Sequence, residues 1–562
     1  MREYRQALLR RSFRNEAGKP SKETLANLSA LPDEAIDAVR KVLAGKTLVD
    51  VEESFTIERA LPHGHVGAAH VAASQLRFVE LLGPPCPERD IIYALILSRV
   101  TAPRSKLATI RWWNDTSLGH DLGIADVHSD AIYAALDWLG TRQEDIEKKL
   151  AGRHLTSGGT AMFDLSSVWY EGTHCELAKF GYSRDKKRGL PQVEFGLLTD
   201  AEGRPVAIRV FGGNTSDSHS FSDAVITVRE TFGLSSLTMI GDRGMITNAR
   251  IEELRASPGL DWITALRAPA VAALASEDGP LQMSLFDTQN FAEITHPDFP
   301  GERLVCCRNP VLMHSRARKR QELLAATEQK LDTIKASVEA GRLTGAAQIG
   351  RKIGKVINRY KMEKHFTVSV TDSSFTYQRN EETIAAEGKL DGIYVLRTSV
   401  EAATLGTPDT VRAYKNLAQV ERDFRSIKSD DLDLRPIRHY RTNRVTAHIF
   451  LCMLACYLTW HLRRTLAPLT FTDEDIPHRD DPVAPAQRSW QAKNKDATKT
   501  SVDDIPLYSF AGLFDHLGTL TRNTIEFAGQ QFDKIATPTP AQRRAFELLG
   551  APIPLTITLL TK

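Results

Sequence analysis

Cysteine is scarce in this chain of 562 residues, which has only six, and no two of them form a Cys-x-x-Cys pair. That number and spacing exclude a disulfide framework and favour a reducing compartment. The first residues include no apolar segment of the kind that directs export. We therefore expect a cytoplasmic protein.

Long apolar runs are also missing. The most apolar stretch, residues 449–462, is shorter than the roughly 18 residues that a membrane span requires, and it ends among histidine and arginine. We interpret it as a buried core helix and expect no membrane partner.

An excess of one charge is the third absence, since 72 basic and 70 acidic residues leave a formal net charge of +2. Overall charge thus gives weak support for a polyanionic partner, and local basic clusters must carry that argument. A hydrophobic content of 42% is typical of a globular protein that buries a sizeable core. The length predicts several domains rather than one.

Helical periodicity dominates residues 30–155. Segments 90–99 and 105–113 could form a helix-turn-helix that reads DNA, and an ordinary helical packing layer explains them equally well. After residue 158 the pattern changes to three strands, a helix and a fourth strand. That order predicts an α/β fold with a ribonuclease-H-like core, in which helices flank a mixed sheet.

The chain is predicted to divide into six regions. They are an all-α N-terminal region for DNA-end binding (1–155), the first part of the catalytic core (156–267), an insertion domain with a helical hairpin and strands (268–390), the second part of the core (391–470), a linker or long loop (471–500), and a C-terminal subdomain of unknown role (501–562).

Two acidic residues stand beside apolar strands. Asp164 follows Ala-Met-Phe, and Asp242 follows Leu-Thr-Met-Ile-Gly at the carboxyl end of a predicted strand. Ligand sites in open α/β sheets gather at such ends, and an unpaired buried carboxylate is costly. Taken singly, each is explained better as a helix cap, a turn residue or half of an ion pair.

A third acid, Glu421, lies in an amphipathic helix predicted over residues 411–429. Tyr414, Glu421 and Lys428 are seven residues apart, so they should line one edge of that helix at steps of about 10 Å. An exposed helix with incidental charge is an equally good explanation of this segment alone.

Together the three acids suit divalent metal. Mg²⁺ prefers oxygen ligands and keeps several waters, so carboxylates from separate elements suffice. In a two-metal site one ion activates the attacking oxygen and the other stabilises the leaving oxygen of a phosphoryl displacement. Asp164, Asp242 and Glu421 are therefore candidate catalytic and metal ligands for two Mg²⁺ ions, with Mn²⁺ as a substitute.

The motifs resemble those of bacterial insertion-sequence transposases of the DDE type that carry a Tyr-x2-Arg-x3-Glu-x6-Lys signature. The matching segments are 163–164, 181–192, 213–217, 241–245 and 414–428, and the resemblance in order and spacing runs from roughly residue 50 to 465. The resemblance implies that Asp164, Asp242 and Glu421 form the metal-binding triad. It also implies that Tyr414 and Lys428 contact DNA phosphates.

One signature position differs. Leu417 stands where the signature has arginine, and Arg425 or Lys415 could supply the missing phosphate contact. Other candidate DNA contacts come from the loop after the first strand and from the segment after the Glu421 helix. They are Arg184, Lys186, Lys187, Arg188, Arg435, Arg438, Arg441 and Arg444.

The predicted function is metal-dependent cleavage at insertion-sequence ends and strand transfer into target DNA, known as cut-and-paste transposition. The expected partners are double-stranded DNA, both terminal inverted repeats and target, and a second copy of the chain. Two alternatives remain, a stand-alone nuclease on the same core and a DNA-binding regulator without catalysis. Intact acids at all three positions argue against the regulator.

Overall fold

The computed structural model describes residues 6–46, 48, 55–276, 278–527 and 529–559. Its internal contacts divide the chain into two compact units. The smaller unit combines residues 1–62 with 520–537, and the larger combines residues 63–519 with 538–562. Each is described below by itself.

The described residues of the smaller unit form one helix and two antiparallel sheets, in which β1 pairs with β2, and β14 pairs with both β15 and β3. Its elements are β1 (Leu8–Arg14), β2 (Pro20–Asn27), α1 (Asp33–Leu43), β3 (Phe55–Pro62), β14 (Thr521–Phe527) and β15 (Gln530–Ile535). The N-terminal region is thus not all α, and that part of the fold prediction is wrong. Side chains on both faces of β1 and β3 are mostly exposed, so these strands lack the apolar alternation that marks a strand in sequence.

Helices begin the larger unit, as the sequence predicted for residues up to 155. They are α2 (Gly64–Gln75), α3 (Phe78–Leu82), α4 (Pro87–Thr101), α5 (Lys106–Asn114), α6 (Ser117–Asp121) and α7 (Ser129–His154). Nearly every residue of α4 is buried, and α4 packs against α2 and α7. This burial shows that α4 belongs to the helical packing layer, whereas α5 is only partly buried.

A mixed sheet of eight strands forms the centre of the larger unit, in the order β6-β5-β4-β7-β8-β13-β10-β9. Its strands are β4 (Thr160–Trp169), β5 (Gln192–Asp200), β6 (Pro205–Gly212), β7 (Leu237–Ile240), β8 (Leu260–Ala265), β9 (Phe291–Ile294), β10 (Arg303–Arg308) and β13 (Ile393–Thr398). β4, β7 and β8 are parallel, and all other pairs are antiparallel. The predicted α/β class, a mixed sheet flanked by helices, is confirmed.

Helices pack against this sheet. They include α8 (Asp217–Ile226), which continues as a π-helical turn (Thr227–Thr231), then α9 (Asn248–Arg255), α10 (Ala268–Leu274) and α16 (Thr442–Thr465). α16 contacts β6, α4 and α7. By length and composition α16 could cross a membrane, yet 83% of its most apolar window is buried inside the protein. The prediction of a buried core helix at 449–462 is confirmed.

The segment predicted as an insertion begins with strands that belong to the sheet, because β9 and β10 extend it beyond β13. What leaves the sheet is the stretch between β10 and β13, with α11 (Pro310–Glu339), α12 (Ala346–Tyr360), β11 (Phe366–Val370), β12 (Phe375–Arg379) and α13 (Glu381–Lys389). This stretch builds its own apolar core.

The helix predicted over 411–429 is interrupted. It consists of α14 (Thr407–Lys415), α15 (Leu417–Arg425) and a π-helical turn (Ser426–Asp430). The remaining helices are α17 (Trp490–Thr498), α18 (Phe510–Gly518) and α19 (Pro540–Leu548). Residues 471–500 are more than a spacer, because Val483 is fully buried in one cluster with Val305 of β10 and Val411 of α14.

Candidate active site

Asp164 and Asp242 lie at the same level of two neighbouring parallel strands. β4 and β7 pair from Thr160 and Thr238 as far as Met162 and Ile240. Each aspartate comes two residues after that last pair, so the two carboxylates lie side by side where β7 ends. Asp164 itself is inside β4, not at its end as the sequence suggested, because β4 continues along β5 to Trp169.

The Asp242 carboxylate is held by the turn that follows β7. Its Oδ1 accepts hydrogen bonds from the backbone N–H groups of Gly244 and Met245, both at 2.8 Å. Asp164 Oδ1 accepts one from the N–H of Leu165, also at 2.8 Å. Backbone donors therefore fix one oxygen of each carboxylate and leave the second oxygen for another ligand.

Glu421 is on α15, which packs directly against β4. Val420 and Phe424 form the buried side of this helix, and Phe424 meets Phe195 of β5 edge to face with ring centroids 5.5 Å apart. Glu421, between them in sequence, is exposed. Packing of the apolar side thus sets the position of the third acid next to the sheet.

Electrostatics places all three acids in one neighbourhood. The pKa of Asp164 is raised to about 7, mainly by burial and also by the carboxylates of Asp242 and Glu421, while the Leu165 N–H and the Arg184 guanidinium act to lower it. Burial likewise raises the pKa of the Tyr414 hydroxyl to about 12, and all three acids contribute to that shift. The triad and Tyr414, predicted from sequence, are therefore neighbours.

As the side chains stand, the described residues contain no group of three or more histidine, cysteine, aspartate or glutamate side chains arranged to hold a metal ion. The three acids are close enough to influence one another's charge but do not converge on one point.

Lys428 is not on the edge of α15 beside Glu421, because the π-helical turn changes the helical repeat after Arg425. Its side chain is buried, and its Nζ donates to Asp185 Oδ1 at 3.0 Å. Arg435 donates to the same oxygen at 2.9 Å. The Asp185 side chain is only 7% exposed, so these three residues form a buried ion-pair cluster.

That cluster holds the basic loop after β4. Arg184 donates its backbone N–H to Ser167 Oγ, and Lys187 Nζ lies 5.1 Å from the Trp169 ring centroid, on which Arg435 also stacks. Lys186 and Arg188 are exposed, and Lys186 adopts a left-handed backbone conformation with φ 58°. The loop thus presents cations next to the acids.

The other predicted DNA contacts differ in their surroundings. Arg438 and Arg441 are exposed, with Arg438 also paired to Glu171 at 3.0 Å. Arg444 donates its Nε and Nη2 to the Asp137 carboxylate of α7 and lies over the Tyr133 ring, so it joins α16 to α7. Arg425 is exposed on α15, whereas Lys415 donates to the backbone carbonyls of Pro482 and Val483.

Sequence reasoning missed two groups near the acids. Asp185 was not singled out, although a lone acid among five cations is a signal of an internal ion pair. Phe180 and Tyr182 were also missed, and their side chains are 74% and 76% exposed. Aromatic residues interleaved with Lys179, Arg184 and Lys186 are typical of surfaces that bind nucleic acid.

Comparison with known proteins identifies the family. The family described as Transposase DDE domain matches residues 163–458, a stretch that includes Asp164, Asp242 and Glu421. Among solved structures, a piggyBac transposase synaptic complex with hairpin DNA matches with 11% identity and a TM-score of 0.33 over 66% of this chain and 66% of that chain, slightly less than two thirds of its length. A search among curated proteins found no match. The chain belongs to the transposase DDE domain family.

Proposed function

We propose that this protein is a DDE transposase that cuts DNA at the ends of an insertion sequence and joins them to target DNA. The observation that carries the proposal is that Asp164, Asp242 and Glu421, from three separate elements, lie close enough for Asp242 and Glu421 to raise the pKa of Asp164. The sheet order third, second, first, fourth, fifth along β6-β5-β4-β7-β8 supports a ribonuclease-H-like core. The family match to residues 163–458 supports the same class of chemistry.

The donor set fits a hard divalent cation such as Mg²⁺ or Mn²⁺, because Asp164, Asp242 and Glu421 offer only carboxylate oxygens. The raised pKa of Asp164 supports this fit, since a carboxylate crowded by two others and removed from water gains most from a nearby cation. When bound, a pair of such ions supplies activation of the attacking oxygen and stabilisation of the leaving oxygen.

The chain's own residues position the DNA. Arg184 on one side and Arg243 on the other lie close enough to affect the charge state of Asp164 and Tyr414 respectively. Cations at these places hold a phosphodiester against the acids. Tyr414, partly buried and protonated at neutral pH, offers a hydroxyl donor to a phosphate oxygen.

Phosphate contacts farther from the cut come from exposed cations, with Lys186, Lys187 and Arg188 on the loop and Arg438 and Arg441 before α16. Such contacts fix register on DNA without reading its sequence and make affinity depend on salt. Phe180 and Tyr182 are the exposed aromatic surfaces in this region on which an unpaired base would stack.

The finer assignment is to bacterial insertion-sequence transposases with the Tyr-Arg-Glu-Lys signature. It rests on Tyr414, Glu421 and Lys428 and on the motif blocks around them. We propose accordingly a cytoplasmic protein whose DNA partners are terminal inverted repeats and a target duplex. Pairing two ends requires two active sites, so a homodimer on DNA is the proposed assembly.

The decisive experiment is end cleavage by the full chain. Labelled duplexes carrying the inverted repeats that flank the coding region are incubated with Mg²⁺, with Mn²⁺, or with chelator. We expect metal-dependent nicking that falls by about 10³-fold or more in Asp164→Asn, Asp242→Asn and Glu421→Gln. Glu401→Gln, an exposed acid outside the site, is the matched control.

If any one of the three variants kept wild-type cleavage, the assignment of the three acids as a catalytic triad would be wrong. The same reaction separates the alternatives, because a transposase joins its cleaved ends to a target plasmid, a stand-alone nuclease stops at cleavage, and a silent regulator binds without cutting. Absence of joined products with efficient cleavage would identify the nuclease.

A further inference from the structure

The helical hairpin between β10 and β13 has one helix that carries both signs of charge and one that carries only positive charge. α12 runs from Ala346 to Tyr360, and residues 340–362 contain no aspartate or glutamate. The basic residues of that stretch are Arg342, Arg351, Lys352, Lys355, Arg359 and Lys361. A surface helix usually mixes both signs, so an acid-free segment of this length needs a reason.

α12 is sharply two-sided. Ile349, Ile353 and Ile357 recur every four residues and are buried against Leu324 and Leu331 of α11. The cations Arg351, Lys355 and Arg359 also recur every four residues and are exposed. Since four residues advance a helix by about 6 Å, these three cations form a row about 12 Å long on the solvent face.

The row has no acidic partners. Among the residues that the structure describes, none of Arg351, Lys355 and Arg359 lies within ion-pair distance of a carboxylate, and Arg359 only stacks on its neighbour Tyr360 at 5.7 Å. α11 behaves differently, since Arg318 pairs with Glu322 and Lys335 with Glu339. The positive field of the hairpin therefore comes mainly from α12.

Two glycines open the surface beside this row. A Cβ placed at Gly350 or Gly354 would meet nothing within 4 Å, so neither glycine is required by packing. Glycine within a helix costs about 1 kcal/mol relative to alanine. One turn apart, they leave a strip of helix without side chains, where a bulky polymer can come close to the row of cations.

We propose that the exposed face of α12 is a second DNA-binding surface, separate from the acidic site, that holds the sugar-phosphate backbone of a duplex. That the occupant is DNA rests on the proposed function. A row of about 12 Å spans roughly three to four phosphates of one strand at 3.4 Å per base pair. Lys352 and Lys361 widen the same positive surface.

The test is duplex binding by the full chain as a function of salt, measured by fluorescence anisotropy in chelator so that no cleavage occurs. The variant is Arg351→Gln with Lys355→Gln and Arg359→Gln. Its control is Arg318→Gln with Lys319→Gln and Lys330→Gln on α11, which removes the same formal charge from exposed positions.

We expect the α12 variant to bind a duplex at least tenfold more weakly at moderate salt. Its slope of log affinity against log salt should be shallower by up to about 2.7, because each lost phosphate contact removes about 0.9. The control should keep the wild-type slope. Circular dichroism should be unchanged in both variants, since every replaced side chain is exposed.

Equal losses in the two variants would overturn the proposal, because they would reflect net charge alone. Wild-type binding by the α12 variant would overturn it too, as would unchanged duplex binding with lost binding to single-stranded RNA or to anionic phospholipid vesicles. The proposed function is judged separately by metal-dependent cleavage with wild-type protein. If the wild-type enzyme cuts DNA and the α12 variant binds DNA normally, only this inference is contradicted and the proposed function is not.

Discussion

At the scale of single residues, the site combines one acid that resists ionisation, Asp164, with cations that already have partners. The Asp164 carboxyl has two other carboxylates nearby, whereas the Lys428 ammonium is paired with Asp185. The signature role of Lys428 is a phosphate contact, and the structure gives it an internal partner instead. The two roles lead to different outcomes when the ion-pair cluster is broken.

The first prediction concerns Asp185→Ala. It leaves the buried ammonium of Lys428 without its acid, so we expect a loss of about 3 kcal/mol in the free energy of unfolding, as for other broken buried pairs. Cleavage should fall as well, because the loop that carries Arg184 is anchored there. Urea unfolding and end cleavage measure the two effects, with exposed Asp430→Ala as the control.

Lys428→Met completes a double-mutant cycle with Asp185→Ala. If the pair is structural, the double variant loses less stability than the sum of the single variants, by on the order of 1 to 3 kcal/mol. If Lys428 mainly contacts phosphate, Lys428→Met weakens DNA binding without changing stability, and the cycle is additive. That additive outcome would falsify the anchoring role.

The second prediction concerns Leu417, which stands where the signature has arginine. Leu417→Arg places a guanidinium one turn before Glu421, on a partly exposed position of α15. A new charged hydrogen bond to phosphate should tighten binding of end DNA roughly two- to tenfold. Equilibrium binding at fixed salt measures this, and an unchanged affinity would show that Arg425 or another cation already fills the role.

At this scale the sequence identified the three acids and Tyr414, because their spacing matches a known signature. It could not reveal the Asp185 cluster, since Asp185 and Arg435 are 250 residues apart in sequence. It also could not distinguish a cation that faces solvent, such as Arg441, from one that joins two helices, such as Arg444. Those differences arise only from tertiary packing.

At the scale of elements, the position of Glu421 depends on how α15 meets the sheet. The turn between β5 and β6 comes close to this helix at Gly203, which has φ +85°. A Cβ at Gly203 would lie 2.6 Å from the Cβ of Gln419, two residues before Glu421. The turn therefore limits how far α15 can approach.

Gly203→Ala is the third prediction. It combines the strain of a left-handed alanine with a clash that pushes α15 away from β4, so cleavage should fall more than tenfold even where the protein stays folded. Gly233→Ala is the matched control, since φ is +66° there and nothing lies within 4 Å. It bears the strain without the clash.

Measured cleavage and thermal unfolding separate the two glycine variants. Both should lose about 1 kcal/mol of stability or somewhat more from backbone strain. Only Gly203→Ala should also lose cleavage activity. Equal activity in the two variants would show that the position of Glu421 tolerates movement of α15.

Elements of the central sheet were largely predictable, because their apolar runs are short and bounded by turns. The helical hairpin and the strands predicted within residues 268–390 are present as α11, α12, β11 and β12. The breaks inside the Glu421 helix were not predictable. Apolar periodicity continues across Asn416 and into the π-helical turn, and a one-residue change of repeat leaves no mark in composition.

At the scale of the whole molecule, chain order and spatial order diverge. β3 pairs with β14, strands that are more than 450 residues apart, and the sheet takes β9 and β10 from a segment that reads as an insertion. A sequence pattern indicates the local preference for helix or strand. The pairing of distant strands depends instead on which strand edges are available in the folded chain. The all-α prediction for the N-terminal region failed at β3 for this reason, whereas β1 and β2 form a local hairpin that was missed because β1 lacks apolar alternation.

Buried histidine gives the folded molecule a predictable response to acid. Burial lowers the pKa of His65 and His70 to about 4, and burial with nearby cations lowers that of His439 to about 3. An unfolded histidine has a pKa near 6.5, so the unfolded state binds more protons between pH 6.5 and pH 4. The stability contributed by neutral histidine is present above pH 6.5 and lost as pH falls through that window.

The last prediction follows for the full chain. The urea midpoint should be nearly constant from pH 8 to about 6.5 and then fall steeply toward pH 4, with each such histidine worth up to about 3 kcal/mol. His65 is the best site for a test, because its Nδ1 has no hydrogen-bond partner in the described part of the chain and its ring lies against Trp112. His65→Leu should keep the fold. The slope of the unfolding free energy against pH should become shallower by the contribution of about one bound proton. Exposed His478→Leu should not change it, and identical slopes in wild type and His65→Leu would mean that acid acts through other groups.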